Sequence, residues 1–204
     1  MDYTYLFEGK GPTRIGVIGA SKGFGYTLLA QIKCIDKIKL RFASSRHPEA
    51  VVDVLNELGY SCKIAVCSTE EDVASADPDA IIVSSNNELA LSCGLNSIVE
   101  SSGNTRIGCE LSVKALTRGI NVYMVSKETD SFAGPYLSSL AAKNKAVYCL
   151  VNGDQPRNLV DLISWAKTLG MEIVAAGKSS EYDLVWDQES HIFTYDENGH
   201  FEKK

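Results

Sequence analysis

Arg14-Ile15-Gly16-Val17-Ile18 is a short apolar run that leads directly into Gly19-Ala20-Ser21-Lys22-Gly23-Phe24-Gly25, and a helix-like stretch over 26–35 follows at once. A strand, a tight glycine turn and a helix in that order constrain this chain more than any other feature. Glycines let the backbone turn sharply and let a second backbone approach closely. The amide groups and positive dipole at the start of the helix are then left facing outward, the arrangement that receives a dinucleotide pyrophosphate. The spacing is G-x-x-x-G-x-G, with Ser21 where the commoner G-x-G-x-x-G pattern has its second glycine. The plainer alternative is a turn that only joins a strand to a helix.

The next strand bears on which nucleotide would fit. Residues 39–43 read as that strand, and it ends in Ser44-Ser45-Arg46-His47. A site for NAD usually carries Asp or Glu here to accept from the ribose 2′-hydroxyl. Two hydroxyls and a guanidinium suit a 2′-phosphate instead. NADP is therefore expected, with NAD as the alternative. Lys22 offers a further phosphate contact or is simply an exposed turn lysine.

The remaining pattern alternates. Strands are expected at 14–18, 39–43, 62–66, 80–83, 97–100, 121–125, 146–151 and 171–175, and helices at 23–35, 48–58, 69–75, 105–118, 132–143 and 157–169. Pro48 suits a first helical turn, Gly59, Gly119 and Gly170 suit helix C-termini, and Thr69 precedes three acidic residues as an N-cap should. Such alternation implies an α/β fold, a doubly wound and mostly parallel sheet with helices on both faces. The last stretch differs: 191–195 and 200–201 flank Asn198-Gly199 and read as a β-hairpin, after a polar loop over 178–183. The expected organisation is an N-terminal extension over 1–12, a dinucleotide-binding domain over 13–151, and the start of a truncated catalytic or substrate domain over 152–204.

Composition excludes several classes. The 204 residues carry a net charge of −6, with no Lys/Arg cluster, so nucleic acid is not expected as a partner. No apolar run approaches the roughly 18 residues of a membrane span, and the first eight residues lack the basic and apolar regions of a signal peptide. The six cysteines form no C-x-x-C pair and lie away from the three histidines. They read as small buried or half-buried side chains in a reducing cytoplasm, with no metal site.

Several further segments carry a likeness. They are Ser97-Ile98-Val99-Glu100-Ser101-Ser102-Gly103-Asn104, then Val122-Tyr123-Met124-Val125-Ser126-Lys127-Glu128-Thr129-Asp130 with Gly134-Pro135-Tyr136-Leu137, then Asn152-Gly153-Asp154-Gln155-Pro156 and Ala175-Ala176-Gly177-Lys178. In order and spacing, from about Arg14 to Trp186, the chain resembles the homoserine dehydrogenase-like oxidoreductases, and within them the deoxyxylulose-phosphate reductoisomerase-like subgroup. The resemblance implies a Rossmann domain that binds a nicotinamide nucleotide. It also implies hydride transfer with a small polar, in some members phosphorylated, hydroxy or oxo substrate.

By that resemblance Ser101, Ser102 and Gly103 border the nicotinamide ribose. Lys127 matches the lysine near the reacting centre, where it would stabilise a developing alkoxide, although Ser126 replaces the family asparagine. Glu128 and Asp130 fit the subgroup, which implies for either a place behind the residues that touch the substrate or one directed at a divalent ion. Asp154, Gln155 and Lys178 match in motif and polar character, and a hinge network between domains is their alternative role. Family members continue well beyond this length. The resemblance thus leaves two readings: an enzyme completed by a second chain, in a homo-oligomer by analogy, or a non-catalytic NADP-binding regulatory subunit.

Gly19–Gly25 also looks like the fingerprint of short-chain dehydrogenases, whose Tyr-x-x-x-Lys spacing is met by Tyr123 and Lys127. That chemistry needs both side chains on one helical face. Residues 121–125 read as a strand, on which positions four apart are about 13 Å distant. This alternative is therefore not expected to hold.

Overall fold

A computed structural model describes residues 9, 11–20, 23–153, 157–177, 184–189, 192–196 and 201–203. The chain divides into two compact units, Met1–Val151 and Asn152–Lys204.

The first unit alternates strand and helix. In chain order it contains β1 (Thr13–Ile18), α1 (Phe24–Lys33), β2 (Ile38–Ser44), α2 (Pro48–Glu57), β3 (Ile64–Val66), α3 (Glu70–Ser75), β4 (Ile81–Ser84), a 3-10 helix (Asn87–Ser92), β5 (Ser97–Glu100), α4 (Thr105–Thr117), β6 (Asn121–Met124), α5 (Lys127–Lys143) and β7 (Tyr148–Leu150). The seven strands form one sheet in the order β3-β4-β2-β1-β5-β6-β7, and every described pairing in it is parallel. The strand order reverses beside β1, between β2 and β5, and open α/β sheets bind ligands at the carboxyl edge of such a point.

Both faces of this sheet are covered. Ile15, Val17, Leu40, Ala43, Ile81 and Val83 pack with Leu29 and Ile32 of α1 and Val51 and Leu55 of α2. Ile18, Phe42, Ile82, Ile98 and Val122 pack on the other side with Leu111 and Leu116 of α4 and Leu137 of α5. Successive strand residues therefore enter opposite cores, and the strands read as unbroken apolar runs. Thr69 and Asp72 close a full capping box on α3. Pro48 stands in the first turn of α2, and Gly59, Gly119 and Gly170 take φ of +70°, +75° and +78° after α2, α4 and the helix Arg157–Thr168.

Several boundaries differ from expectation. β3 and β7 are shorter than 62–66 and 146–151 because they are the sheet's two edges, paired on one side only. α5 begins at Lys127 and not at 132. The Ser126 carbonyl accepts from the Thr129 and Asp130 amides at 3.0 and 3.2 Å, and Glu128 and Asp130 suit the positive end of the helix. Pro135 lies inside α5, where it has no N–H to offer the preceding turn.

The second unit contains α6 (Arg157–Thr168) and an antiparallel sheet of β8 (Leu184–Asp187), β9 (Ile192–Asp196) and β10 (Phe201–Lys203), in the order β10-β9-β8. Phe201 pairs with Asp196 in the hairpin, while the turn over 197–200 is outside the described residues. The expected strand at 171–175 does not form. None of the described strands pairs with it, and Val174 is 90% exposed. A strand without a partner leaves its ladder unmade.

The cysteines correct another expectation. Cys67 and Cys93 are buried and Cys109 is half-buried, but Cys34, Cys62 and Cys149 are exposed. Among the described residues no cluster of His, Cys, Asp or Glu could hold a metal ion. No described helix is long and apolar enough to cross a membrane.

Candidate functional site

The glycine turn closes the carboxyl end of β1 against its neighbours. Gly19 has φ of +85°, and a Cβ there would lie 2.6 Å from the Ser101 carbonyl oxygen. A Cβ on Gly25 would lie 2.2 Å from the Gly19 carbonyl oxygen and 2.8 Å from Ala20 Cα. Both contacts are with backbone, so neither position has room for any other residue. Gly23, the N-cap of α1, needs glycine for its φ of +54° alone, since nothing lies within 4 Å of the missing Cβ.

The amides of this turn divide into two groups. Gly19 and Ala20 both donate to the Ser44 carbonyl at 2.9 Å, which ties β1 to β2, and Ala20 is fully buried. These two residues shape the turn and keep their amides for the protein. Among the described residues the first amide of α1 to find a helical acceptor is that of Thr27, on the Gly23 carbonyl, and the start of a helix presents amides to an anion. No acidic side chain stands in that first turn and no side chain caps it, so its positive end is uncompensated. Ser21 and Lys22 are outside the described residues.

At the end of β2 the three expected residues separate. Ser44 is fully buried, and its hydroxyl donates to Asn87 Oδ1 at 2.7 Å in the 3-10 helix after β4. That hydroxyl is an internal tie, which corrects the expectation that it faces a 2′-phosphate. Ser45 is half-buried, with its amide on the Ser84 carbonyl at 3.2 Å, and Arg46 is exposed beyond it. Asn87 was missing from the sequence reading. Its signal is two successive asparagines just past a strand's carboxyl end, where polar side chains gather.

The ends of β5 and β6 are sewn together by a second set of polar groups. Glu100 is completely buried. Its Oε1 accepts from the Ser102 amide at 3.0 Å and from the Ser102 hydroxyl, while Oε2 has no partner among the described residues. Its carbonyl accepts from the amides of Val125 and Ser126. The Gly103 amide donates to Ser126 Oγ at 2.9 Å, and the Ser101 hydroxyl donates to the Ile18 carbonyl at 2.6 Å. Gly19, Ser101, Ser102, Gly103 and the Ser126-Lys127 pair thus meet at one edge of the sheet. Lys127 and Glu128 are exposed in the first turn of α5. Asp154, Gln155 and Lys178 are outside the described residues.

Tyr123 lies on β6 and Lys127 opens α5. They do not share a helical face, so the Tyr-x-x-x-Lys reading fails on geometry. The thiols are also quiet. Burial raises the Cys109 thiol above its ordinary value, with the Glu100 field adding to it, raises Cys67, and pushes Cys93 up to about 11. None of the three is an activated nucleophile.

Behind the site α4 and α5 touch closely: a Cβ on Gly108 would lie 2.3 Å from Thr129 Oγ1. The Tyr148 hydroxyl donates to Asp130 Oδ1 at 2.8 Å. Burial, then that bond, raises the Tyr148 phenol above its ordinary value. Asp130 is therefore engaged inside the fold.

No protein-family model matches the chain, and no curated protein matches it. Solved structures do. The WlbA dehydrogenase from Bordetella pertussis, in complex with NADH and UDP-GlcNAcA, is 13% identical with a TM-score of 0.55, over 78% of this chain and 42% of that one. The WlbA dehydrogenase from Chromobacterium violaceum, in complex with the same two ligands, is 14% identical with a TM-score of 0.52, over 79% and 41%. An NAD binding oxidoreductase from Klebsiella pneumoniae is 12% identical with a TM-score of 0.52, over 78% and 39%. The chain spans about two fifths of the length of each of these structures. At such identity the likeness is one of fold. The first unit has the parallel, doubly wound α/β architecture on which these dehydrogenases and oxidoreductases are built.

Proposed function

We propose that the chain is the nucleotide-binding portion of an NADP-dependent oxidoreductase of the homoserine dehydrogenase-like class. The substrate would be a small polar hydroxy or oxo compound, phosphorylated or not. One observation carries the reading: Gly19 and Gly25 let the turn pack directly against backbone at residues 101–102 and 19–20, at the point where the strand order reverses. A tight glycine turn that opens a helix with no acidic side chain in its first turn suits a pyrophosphate.

The parts divide the work as follows. The amides at the start of α1 hold the pyrophosphate, and Ser21 and Lys22 remain candidates for it by sequence alone. Ser45 and Arg46 hold a 2′-phosphate, for which a guanidinium supplies charge and paired donors. The Ser101–Gly103 turn, fixed by Glu100 and Ser126, borders the nicotinamide ribose. When bound, the nicotinamide supplies or accepts the hydride. Lys127 donates to the substrate oxygen and stabilises the negative charge that grows there. Glu128 stands next to Lys127 in the same helical turn, and Asp154 and Lys178 remain candidates for substrate contact by motif alone.

A titration of the purified chain with NADPH and NADH, followed by nicotinamide fluorescence, tests this. Arg46→Ala is expected to weaken NADPH binding by about tenfold or more, the value of one charge-assisted contact, and to leave NADH unchanged. Absence of binding by either nucleotide sinks the reading. Equal loss for both nucleotides removes the 2′-phosphate role.

The second reading, an NADP-binding subunit whose substrate-handling half lies on another chain or another copy, is favoured by the surface of the second unit. Val160, Leu162, Trp165 and Met171 are each more than half exposed there, an unusual amount of open apolar surface for a helix and its exit. Light scattering of the purified chain, with turnover assayed alone and after adding such a partner, separates the two readings.

A further inference from the structure

Ser44 joins two parts of the carboxyl edge of the sheet. Its carbonyl accepts from the Gly19 and Ala20 amides of the glycine turn, and its hydroxyl donates to Asn87 Oδ1 at 2.7 Å. Asn87 opens the 3-10 helix that follows β4, so a residue 43 positions further along the chain is tied to the end of β2. A dinucleotide laid across such an edge brings its adenosine ribose to the end of the second strand.

The orientation of the Asn87 side chain follows from the Ser44 hydroxyl. Ser44 is fully buried, and among the described residues its proton has one acceptor, Asn87 Oδ1. A buried hydroxyl proton without an acceptor is costly. The amide oxygen therefore stays with Ser44, and the amide nitrogen, with two hydrogens to give, turns away from it. Asn87 is half-buried, and its NH2 group makes no hydrogen bond among the described residues.

The neighbouring groups hold Asn87 in place. The Ser45 amide donates to the Ser84 carbonyl at 3.2 Å, and the Asn86 amide to the Ser84 hydroxyl at 3.0 Å. The backbone leading into Asn87 is thus pinned at the ends of both β2 and β4. The two asparagines do different work. Asn86 Oδ1 accepts from the Glu88 amide at 3.0 Å and caps the 3-10 helix. Glu88, the acid beside them, is paired with Lys114 at 2.5 Å, which offsets the charge it would set against a phosphate.

On the reading of this edge as an NADP site, we propose that Asn87 is a cofactor-specificity residue. Its NH2 group, oriented by Ser44, donates to the 2′-phosphate beside Ser45 and Arg46. An acid at the end of the second strand selects NAD by accepting from the 2′-hydroxyl. Asn87 reaches the same place from β4 with the opposite preference, because it offers hydrogens and no negative charge. The Ser44 hydroxyl serves the 2′-phosphate through Asn87, without facing it.

The test titrates the whole chain with NADPH and NADH, followed by nicotinamide fluorescence, as the parent and as Asn87→Asp. Aspartate keeps an acceptor for Ser44, so the thermal midpoint without nucleotide is expected to stay near that of the parent. NADPH affinity is expected to fall about tenfold or more, the value of one hydrogen bond to a charged group, while NADH affinity does not fall. Ser44→Ala, which frees the amide to turn, is expected to lower the preference for NADPH by a smaller factor. NMR of the parent gives a readout that needs no variant: the Asn87 side-chain NH2 resonances move with adenosine 2′,5′-bisphosphate and not with adenosine 5′-monophosphate. If the parent binds NADPH and Asn87→Asp binds it equally well, the proposal is overturned and the NADP reading stands. Equal loss of both nucleotides in Asn87→Asp makes Asn87 a structural tie and overturns the proposal too, as do Asn87 resonances that ignore the bisphosphate. A preference unchanged in Ser44→Ala overturns the part given to Ser44. A parent that binds neither nucleotide, or both equally, removes the NADP reading and the proposal together.

Discussion

At the carboxyl end of the seven-stranded sheet a Cβ on Gly25 would lie 2.2 Å from a backbone oxygen, whereas at the amino end the same strands part around about 520 Å³ of space. The closed end is held by backbone and short hydroxyl side chains: Ser101 on Ile18, Ser102 on Glu100, and Gly103 on Ser126. The open end is framed by long cationic side chains. A closed end of this kind presents amides in fixed positions, and amides recognise a ligand by shape and close approach. An open end presents charge on flexible stems. One strand, β1, joins the two.

Four changes break or sharpen that contrast. The largest effect is expected from Gly25→Ala, because every atom it meets is backbone. It should cost about 3 kcal/mol or more, read as a lower urea midpoint at unchanged slope. Gly103→Ala serves as its comparison. Its φ is +67° but nothing lies within 4 Å, so only the conformational cost of about 1–2 kcal/mol applies. Equal costs for the two would remove the claim that the turn is tightly packed.

Next comes Glu100→Ala, which removes the acceptor of the half-buried Ser102 amide and hydroxyl. About 2 kcal/mol is expected from the lost acceptor, with Glu100→Gln recovering part of it. The same urea midpoints check this, and no change would mean that the closed end does not depend on its buried acid.

A smaller effect belongs to Tyr60, which borders the cavity and donates to the Leu29 carbonyl at 2.6 Å. Burial pushes its phenol up from 10.0 to about 12. The folded state then holds this proton more tightly than the unfolded chain does. The associated stability is complete below pH 10 and is lost as pH rises through about 12. About 1 kcal/mol is expected, allowing for the solvent that reaches the ring. Unfolding midpoints across that window should fall less steeply in Tyr60→Phe than in the parent, and parallel slopes would count against the assignment. Tyr148, also raised, is unaltered in both proteins and cancels in the difference.

The smallest effect is a gain. Arg14→Gln relieves its repulsion with Lys39, its register partner on β2, and should stabilise the chain by about 0.5 kcal/mol at low salt. That gain should vanish near 1 M salt, where the screening length is about 3 Å. A loss of stability would mean that the two cations do not oppose each other.

The same contrast explains what could be read from the amino acids. The closed end was legible because its demands are local: glycines at fixed offsets after an apolar run admit few other structures. The strand–helix alternation was legible for a related reason, since strands buried on both faces must be continuously apolar. The open end was not legible. The Arg14–Lys39 pairing depends on the register between two strands, and the place of Arg41 depends on a shift within that register. Nothing in either segment alone records it. Asn87 is reached through a 3-10 helix with no apolar period of its own. The early start of α5 was hidden because residues 127–131 are all polar, follow directly on a strand and carry no apolar helical period. The strand expected at 171–175 failed in the opposite sense, since its apolar residues have no partner strand among the described residues.

The central position of β1 has a consequence for synthesis. One edge of β1 pairs with β2, whose residues follow within about 25 positions, but the other pairs with β5, where Ile15 meets Ser97. Those partners are 97 − 15 = 82 residues apart. At about 5–20 residues per second, a ribosome takes roughly 4–16 s to deliver the second partner. Through that interval the central strand of the finished sheet has an open ladder. During synthesis the middle of the sheet is its vulnerable edge, and any delay between residues 20 and 97 lengthens the time in which a foreign strand can take the place of β5.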